Sequence, residues 1–302
     1  MAIVTRCRAA AAISLLSAAI ALPACGTGGP PARQARTAAA VSAGIRPERI
    51  VAAPKSVLSA AAPQPNGTTW MLAGDAASRG LFEVDLVSGH VVGSISVSNA
   101  AQAVTESLTG LIGLALGTGK TGALELLDGN TAKVIRTVAL PAPARDVVIG
   151  SDGATFYVLT SRGADSSVTV VDSRGGRVSG TIPVPRGAVS IATNVQQTML
   201  YVLQQDGRVS EIAIAGGTVM ASFVVGDSGR SLVLSPDGST LYALKDTAAT
   251  ADVAVVDVAT ESVRRALPAP QHCLEVLTSA SGSQLYEVVG TPGYGNIQVF
   301  AV

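Results

Sequence analysis

The stretch SPDGSTLYAL at residues 235–244 joins a Pro-Asp-Gly turn to a short apolar run, and copies of this arrangement decide the fold. An Asx-Gly pair supplies the positive φ that a tight reversal between strands needs. Asn66-Gly67 and Asp152-Gly153 precede apolar runs in the same way. These runs are short, rich in β-branched residues and bounded by turn formers, so they predict strands instead of helices.

The chain repeats this unit with a period of about 43 residues. One column of the repeat falls on residues spaced 43, 43, 44, 41 and 44 apart, namely Met71, Leu114, Tyr157, Tyr201, Tyr242 and Tyr286. A second column has spacings of 43, 44, 41, 44 and 44, at Asp85, Asp128, Asp172, Ala213, Asp257 and Ala301. Because two independent columns hold one period, we predict six units of one kind.

Each unit predicts four short antiparallel strands. A sheet of this size cannot bury both faces alone, so the units must pack on each other, and closure into a ring removes the sheet edges. We therefore predict an all-β fold, a six-bladed β-propeller, with seven blades as the alternative. The sixth unit ends after its third strand, and residues 49–54 match the fourth strand at residues 180–185. We expect this N-terminal strand to pair with the last blade and close the ring.

The repeat resembles the YVTN β-propeller repeat family in Tyr157-Val158, in Tyr201-Val202 and in the stretch at 235–244, and the likeness covers about residues 46–302. The third and fourth letters of the family motif are replaced in these units by Leu159-Thr160, Leu203-Gln204 and Leu244-Lys245. The resemblance implies a propeller but no single function, because such propellers include scaffolds, surface proteins and lactonase-like enzymes.

The N-terminus has the pattern of an export signal. Arg6 and Arg8 precede an apolar run at residues 9–24 that is too short for a permanent membrane span. The run ends in LPACG at residues 22–26, which resembles the bacterial lipobox and implies cleavage before Cys25 and lipidation of its thiol. The alternative is ordinary signal cleavage beside an incidental cysteine.

The expected organisation is a lipoprotein signal peptide at 1–24, a flexible Gly-, Pro- and Ala-rich tether at 25–44 and the propeller at 45–302. The chain would then be exported and held by its lipid at the outer face of the cytoplasmic membrane or in the cell envelope. Cys273 would be the remaining thiol, so we predict no internal disulfide in the mature chain. We expect a monomer.

Composition argues against several classes of function. Lys plus Arg and Asp plus Glu number 21 each, so the chain has no net field that would attract a polyanion, and we predict no nucleic-acid partner. The two histidines, His90 and His272, and one remaining thiol give no zinc-type ligand spacing. We predict no metal and no cofactor.

Two motifs imitate catalytic sequences. GDSG at residues 226–229 is like the nucleophile segment of trypsin-like proteases, but no histidine has a protease-like context. GTGKT at residues 117–121 imitates a phosphate-binding loop, but Leu114 stands where that motif needs glycine, and a strand instead of a helix follows. We interpret the first motif as a turn and the second as a hairpin loop.

The candidate site is the mouth of the central channel, where the inner strands of the blades begin. Aligning the units through their turns places polar or cationic side chains at these starts: Gln102, Arg145 and Arg230 directly, His272 after a two-residue shift, and Arg186 one residue early. In a chain with 14% charged residues, such donors predict a cationic mouth that suits carboxylate or phosphate. The alternative is a set of solvated loop charges.

These observations predict a non-catalytic binding or scaffold module, without catalytic residues, whose partner is a small anionic molecule or an envelope protein. The alternative is a lactonase-like or other hydrolytic enzyme with its site at the channel mouth. That enzyme would use Glu106, Asp146 or Glu275 with an arginine nearby, and it requires these groups to converge at the mouth.

Overall fold

The computed structural model describes residues 33–34, 46–53, 55–74, 79–247, 249–291 and 293–302. This part of the chain is built from strands, and it holds no helix with the length and apolarity to cross a membrane. The predicted signal peptide, Cys25 and the predicted tether lie outside the described residues, apart from Arg33–Gln34.

The described strands form six sheets, each built on four antiparallel strands that we call blades 1 to 6; the sheet of blade 4 has a fifth, parallel strand at its outer edge. Two strands precede the first blade: β1 (Arg33–Gln34), which pairs in parallel with the outer strand of blade 4, and β2 (Arg49–Ala52). Blade 1 consists of β3 (Val57–Ala60), β4 (Thr68–Gly74), β5 (Arg79–Asp85) and β6 (Val91–Val97). Blade 2 consists of β7 (Ala101–Glu106), β8 (Leu111–Thr118), β9 (Thr121–Asp128) and β10 (Lys133–Leu140). Blade 3 consists of β11 (Ala144–Ile149), β12 (Thr155–Arg162), β13 (Asp165–Asp172) and β14 (Arg177–Val184). Blade 4 consists of β15 (Ala188–Thr193), β16 (Met199–Gln204), β17 (Arg208–Ala213) and β18 (Thr218–Val224). Blade 5 consists of β19 (Gly229–Leu234), β20 (Thr240–Asp246), β21 (Ala251–Asp257) and β22 (Ser262–Ala269). Blade 6 consists of β23 (Cys273–Thr278), β24 (Gln284–Thr291) and β25 (Tyr294–Ala301), with β2 as its outer strand.

The hydrophobic core is divided into six clusters, one at each interface between consecutive blades. Phe156 of blade 3, for example, packs with Leu124 of blade 2. Met71 of blade 1 packs with Tyr286 of blade 6, so the last interface joins the two ends of the array. Because every sheet buries its two faces on two neighbours, the blades stabilise each other only as a closed ring.

The ring closes through the N-terminal strand. β2 pairs antiparallel with β25, with Ile50 opposite Gln298 and Val51 opposite Ile297. Side chains alternate along a strand, so Val51 is 2% exposed in the core between blades 6 and 1, while Ile50 is 56% exposed. The prediction of a six-bladed β-propeller closed by terminal strand pairing is confirmed.

The aspartates of the second repeat column order the turns between third and fourth strands. Asp85 Oδ1 accepts hydrogen bonds from Ser88 N at 3.0 Å and Val87 N at 2.7 Å, and these bonds lower the pKa of the carboxyl. The equivalent turns of three other blades are capped by Asp128, Asp172 and Asp257. Side-chain bonds of this kind favour tight turns, so this column serves folding.

The first repeat column is shifted by one residue in blades 1 and 2. Strand pairing shows that the equivalents of Tyr157 are Trp70 and Gly113. A Cβ atom at Gly113 would lie 2.3 Å from the Phe156 ring of blade 3, so the neighbouring blade fills the space that an aromatic residue takes elsewhere. The prediction of this column is therefore wrong at Met71 and Leu114, which lie one residue beyond the equivalent positions.

Candidate functional site

A β-bulge at the start of every inner strand builds the candidate site. Pairing with the second strand shifts between the first and third residues of each inner strand, so the second residue is the extra one. A bulge re-aims the side chain of its extra residue. These six residues line one cavity on the channel axis, and we call them the axial ring: Leu58, Gln102, Arg145, Val189, Arg230 and Leu274.

The third residues of the inner strands form a second ring in the same cavity, the acceptor belt: Ser59, Ala103, Asp146, Ser190, Ser231 and Glu275. All but Ala103 accept a hydrogen bond from the backbone N–H of the fourth residue in the next blade. These bonds join Ser59 Oγ to Val104 N (3.3 Å), Asp146 Oδ2 to Ile191 N (2.9 Å), Ser190 Oγ to Leu232 N (3.1 Å), Ser231 Oγ to Val276 N (3.2 Å) and Glu275 Oε2 to Ala60 N (2.9 Å). Each bond crosses a blade interface, so the acceptor belt joins consecutive blades around the channel.

Asp146 and Glu275 are the two carboxyl groups of the belt, and they belong to opposite blades. Asp146 Oδ2 also accepts from Ser190 Oγ at 2.9 Å, while its Oδ1 accepts from Val147 N at 2.8 Å. Burial raises the pKa of Asp146, although these hydrogen bonds oppose the shift. Burial also raises the pKa of Glu275 to about 8, with the charge of Asp146 adding to the effect. Glu275 is therefore mostly protonated at neutral pH.

Three of the predicted site residues meet at the axial cavity, whose volume is about 100 Å³: Gln102, Arg145 and Arg230. Arg230 is neutralised by Asp246, with Nη1 and Oδ2 3.5 Å apart. Arg145 donates through Nε to Ser161 Oγ at 3.0 Å, and among the residues that the structure describes it has no carboxylate within 4.0 Å. Arg145 is the uncompensated cation of the axial ring.

The structure does not bring Arg186 and His272 to the axial ring. Their expected places are taken by Val189 and Leu274, because both predicted residues lie in the turns before β15 and β23. Arg186 forms an exposed ion pair with Asp165 at 3.1 Å. His272 has a positive φ of 64°, a turn conformation that ends one residue before its inner strand begins.

A second cavity, of about 310 Å³, opens beside the axial ring between blades 2 and 3, and we call it the rim groove. Arg145 and Ser161 line it together with Lys120 and Arg162, which are not among the predicted site residues. One feature of the sequence could have pointed to Lys120 and Arg162, namely their position in hairpins between second and third strands. Residues 117–121 form the β8–β9 hairpin, as predicted, and second-to-third-strand hairpins gather on the face where inner strands begin.

Two of the three carboxyl groups of the hydrolytic alternative, Asp146 and Glu275, reach the axial cavity, and Glu106 does not. Asp146 and Glu275 lie between the axial cavity and a lower cavity of about 190 Å³, and they line both. Glu106 lines the lower cavity and not the axial one; burial and the charge of Glu83 raise its pKa to about 7.

Two further chemistries lack a site in the described part of the chain. The thiol of Cys273 is buried, and burial raises its pKa, so it is not a thiolate nucleophile. No group of three or more His, Cys, Asp or Glu side chains among the described residues could hold a metal ion.

Comparison with known proteins supports the architecture. No protein-family model matches the chain, and no curated protein matches it. Among solved structures, Kuenenia stuttgartiensis hydrazine synthase is similar, with a TM-score of 0.61 and 16% identity over 77% of this chain and 73% of that chain. At this identity the likeness shows the fold alone. The class that the fold and the site define is a six-bladed β-propeller with a cationic residue at its channel mouth.

Proposed function

We propose that this chain is a lipid-anchored, extracytoplasmic propeller related to the YVTN repeat proteins, and that it is a non-catalytic binding module for a small anionic molecule. The observation that carries the proposal is the position of Arg145. A β-bulge aims this arginine into the axial cavity, and no carboxylate within 4.0 Å neutralises it among the described residues.

The surroundings of Arg145 favour a bound anion. Its Nε bond to Ser161 orders the side chain before a ligand arrives and leaves other N–H groups free for two parallel bonds to carboxylate or phosphate. Gln102 adds a neutral amide in the next blade of the ring. Glu275, protonated at neutral pH because its pKa is raised to about 8, does not cancel the charge of Arg145.

Isothermal titration calorimetry of the full-length chain in detergent, with small carboxylates and phosphates, tests the binding site. Arg145→Gln should weaken binding by roughly 1.5–3 kcal/mol, about ten- to a hundredfold, because a charge-assisted bond is lost. Arg177→Gln is the matched control, since Arg177 is an exposed arginine on the outer strand of the same blade. Equal affinities of the parent and Arg145→Gln would contradict the axial site.

In this proposal the chain is anchored to the membrane through a lipid on Cys25, which is inferred from the lipobox-like sequence at residues 22–26. The parent should enter the detergent phase on Triton X-114 partition, and mass spectrometry should find a diacylated N-terminal peptide beginning at Cys25. Cys25→Ala should stay in the aqueous phase. An unmodified Cys25 in the processed parent would show ordinary signal cleavage.

A hydrolytic enzyme is the second candidate function. One observation favours it: Asp146 and Glu275 face the axial cavity, and burial raises the pKa of both, as suits a general acid. Against it, their oxygens bind backbone N–H groups of the neighbouring blades. Lactone hydrolysis that Glu275→Gln abolishes without loss of folding would support the enzyme.

A further inference from the structure

We propose that the rim groove binds a phosphate group, so that the ligand of this propeller is a phosphorylated small molecule and not a simple monocarboxylate. This inference rests on the proposed function, because Arg145 lines both the axial cavity and the rim groove. At about 310 Å³ the groove has the size of a small-molecule site, whereas the axial cavity, at about 100 Å³, accommodates only part of such a ligand.

Three cations line the groove, and its lining contains no carboxylate. Lys120, Arg145 and Arg162 each lack an ion-pair partner within 4.0 Å in the described part of the chain. Three other cations on this face are paired with aspartates, in the pairs Arg186–Asp165 (3.1 Å), Arg230–Asp246 (3.5 Å) and Lys245–Asp252 (2.8 Å). The groove thus brings three unpaired cations together, and a multiply charged anion relieves the repulsion among them.

The donors of the groove are held in place. Arg145 is anchored on Ser161 Oγ at 3.0 Å, and Arg162 Nη2 donates to Pro141 O at 2.6 Å. Each guanidinium keeps further N–H groups for a ligand. Side chains that are ordered before binding lose less entropy when the ligand arrives.

The backbone fixes where Lys120 stands. A Cβ atom at Gly122 would lie 2.4 Å from Ala142 O, so the β8–β9 hairpin lies against the entry to blade 3 as close as a glycine permits. Gly119 and Gly163, in the two hairpins beside the groove, have φ of 53° and 64° with open space where a side chain would be. The hairpin backbones are therefore open to a ligand on this side.

The charge pattern matches a small phosphorylated molecule better than the other anions. A monocarboxylate uses one of the three cations, whereas a phosphate presents up to two charges and three acceptor oxygens. A long polyanion would also extend beyond the groove to blades 4 and 5, where Arg186, Arg208 and Arg230 are already paired with aspartates.

The experiment compares two sugar derivatives of similar size, glucose 6-phosphate and gluconate, by calorimetry on the full-length chain in detergent at about 0.15 M salt. Inorganic phosphate is followed separately by ³¹P NMR line broadening. The variants are Lys120→Gln with Arg162→Gln, Lys120→Gln alone, Arg145→Gln, and Arg177→Gln as the control. Lys120→Gln alone keeps the bond from Arg162 to Pro141.

The parent should bind glucose 6-phosphate at least about tenfold more tightly than gluconate, since it adds charge-assisted bonds. The double variant should lose this preference and the phosphate line broadening while it keeps its affinity for gluconate, and Lys120→Gln should show an intermediate loss. Arg145→Gln should weaken both ligands.

Two results would overturn the inference: equal affinities of the parent for the two sugars, or a double variant that keeps the preference. If gluconate still depends on Arg145 in that case, the proposed anion-binding function stands without the phosphate subsite. If the parent binds neither sugar nor phosphate, both proposals fail. If the double variant loses phosphate but Arg145→Gln changes nothing, the phosphate subsite consists of Lys120 and Arg162 alone, and both the role of Arg145 in the groove and the axial site are wrong.

Discussion

Replacing Glu287 with methionine should stabilise the propeller in a strongly pH-dependent way. Glu287 lies in β24 and is 1% exposed, and its Oε2 is buried without a hydrogen-bond partner. Strand pairing places Glu287 opposite Val276, the fourth residue of its inner strand, a position that faces apolar residues in the other five blades. These are Met71, Leu114, Val158, Val202 and Ala243.

Burial raises the pKa of Glu287 from 4.5 to about 8. The folded chain therefore keeps a proton that the unfolded chain releases above about pH 4.5, so this group lowers the free energy of unfolding as pH rises from about 4.5 to about 8. At 1.36 kcal/mol per pH unit, the interval from 4.5 to about 8 amounts to a loss of about 5 kcal/mol. Below that interval the variant should gain only about 1–3 kcal/mol, from removing an unsatisfied polar atom.

Urea unfolding between about pH 5 and pH 9, followed by the fluorescence of the single tryptophan, measures this difference. That tryptophan, Trp70, is buried in blade 1 and reports on global unfolding. The stability gain of Glu287→Met over the parent should grow by about 1.4 kcal/mol per pH unit and level off above about pH 8. Met71→Leu, at the equivalent position of blade 1, should show a difference that does not change with pH. Parallel pH profiles of the parent and Glu287→Met would refute the reasoning.

Three further predictions concern the ring, the blade packing and the free thiol. Val51→Asp places a carboxylate in the core between blades 6 and 1 and should lower the free energy of unfolding in urea by about 3–5 kcal/mol. Ile50→Asp, one residue away on the exposed side of the strand, should lower it by less than about 1 kcal/mol. Equal effects of the two substitutions would place β2 in another register. Gly113→Ala should lower stability by about 1–3 kcal/mol because the added Cβ atom meets the Phe156 ring. Gly180→Ala has open space around the added Cβ atom and should change stability by less than about 0.5 kcal/mol. Equal melting temperatures of the two variants would argue against this packing. The Cys273 thiol is buried and its pKa is raised by burial, so it should react with a thiol reagent such as dithionitrobenzoate only as fast as the chain unfolds. Rapid labelling of Cys273 itself in the folded protein, located by peptide mass spectrometry, would contradict its burial.

Much of the site followed from sequence, but the placement of single residues did not. The turn alignment put Gln102, Arg145 and Arg230 at equivalent starts of inner strands, and the structure brings these three together. The same alignment failed for Arg186 and His272, because they lie in turns whose residues do not follow the period of the strands. The bulge at the second residue of each inner strand decides which side chain enters the channel, and the sequence carries no direct mark of it.

Charge compensation was also hidden from the sequence. Arg145 and Arg230 occupy equivalent positions, yet Arg230 lies 3.5 Å from Asp246 whereas Arg145 meets Ser161. Asp246 and Ser161 occupy equivalent positions near the ends of the second strands of their blades, so the difference arises from a contact between neighbouring strands. The sequence alone shows which charged residues lie at the channel mouth, but it does not show which of them form ion pairs.

The amino-acid sequence by itself determined the period, the number of blades and the strand that closes the ring, because turns such as Pro236-Asp237-Gly238 and the alternation within each strand are encoded by contiguous residues. The tertiary structure decided the register of Trp70 and Gly113, the belt of acceptors and the choice of an unpaired arginine. The register and the unpaired arginine depend on pairing between neighbouring strands of one blade, and the belt depends on contacts between blades. Bulges set the strand register, and the contacts of the belt join residues about 43 positions apart, neither of which local sequence records.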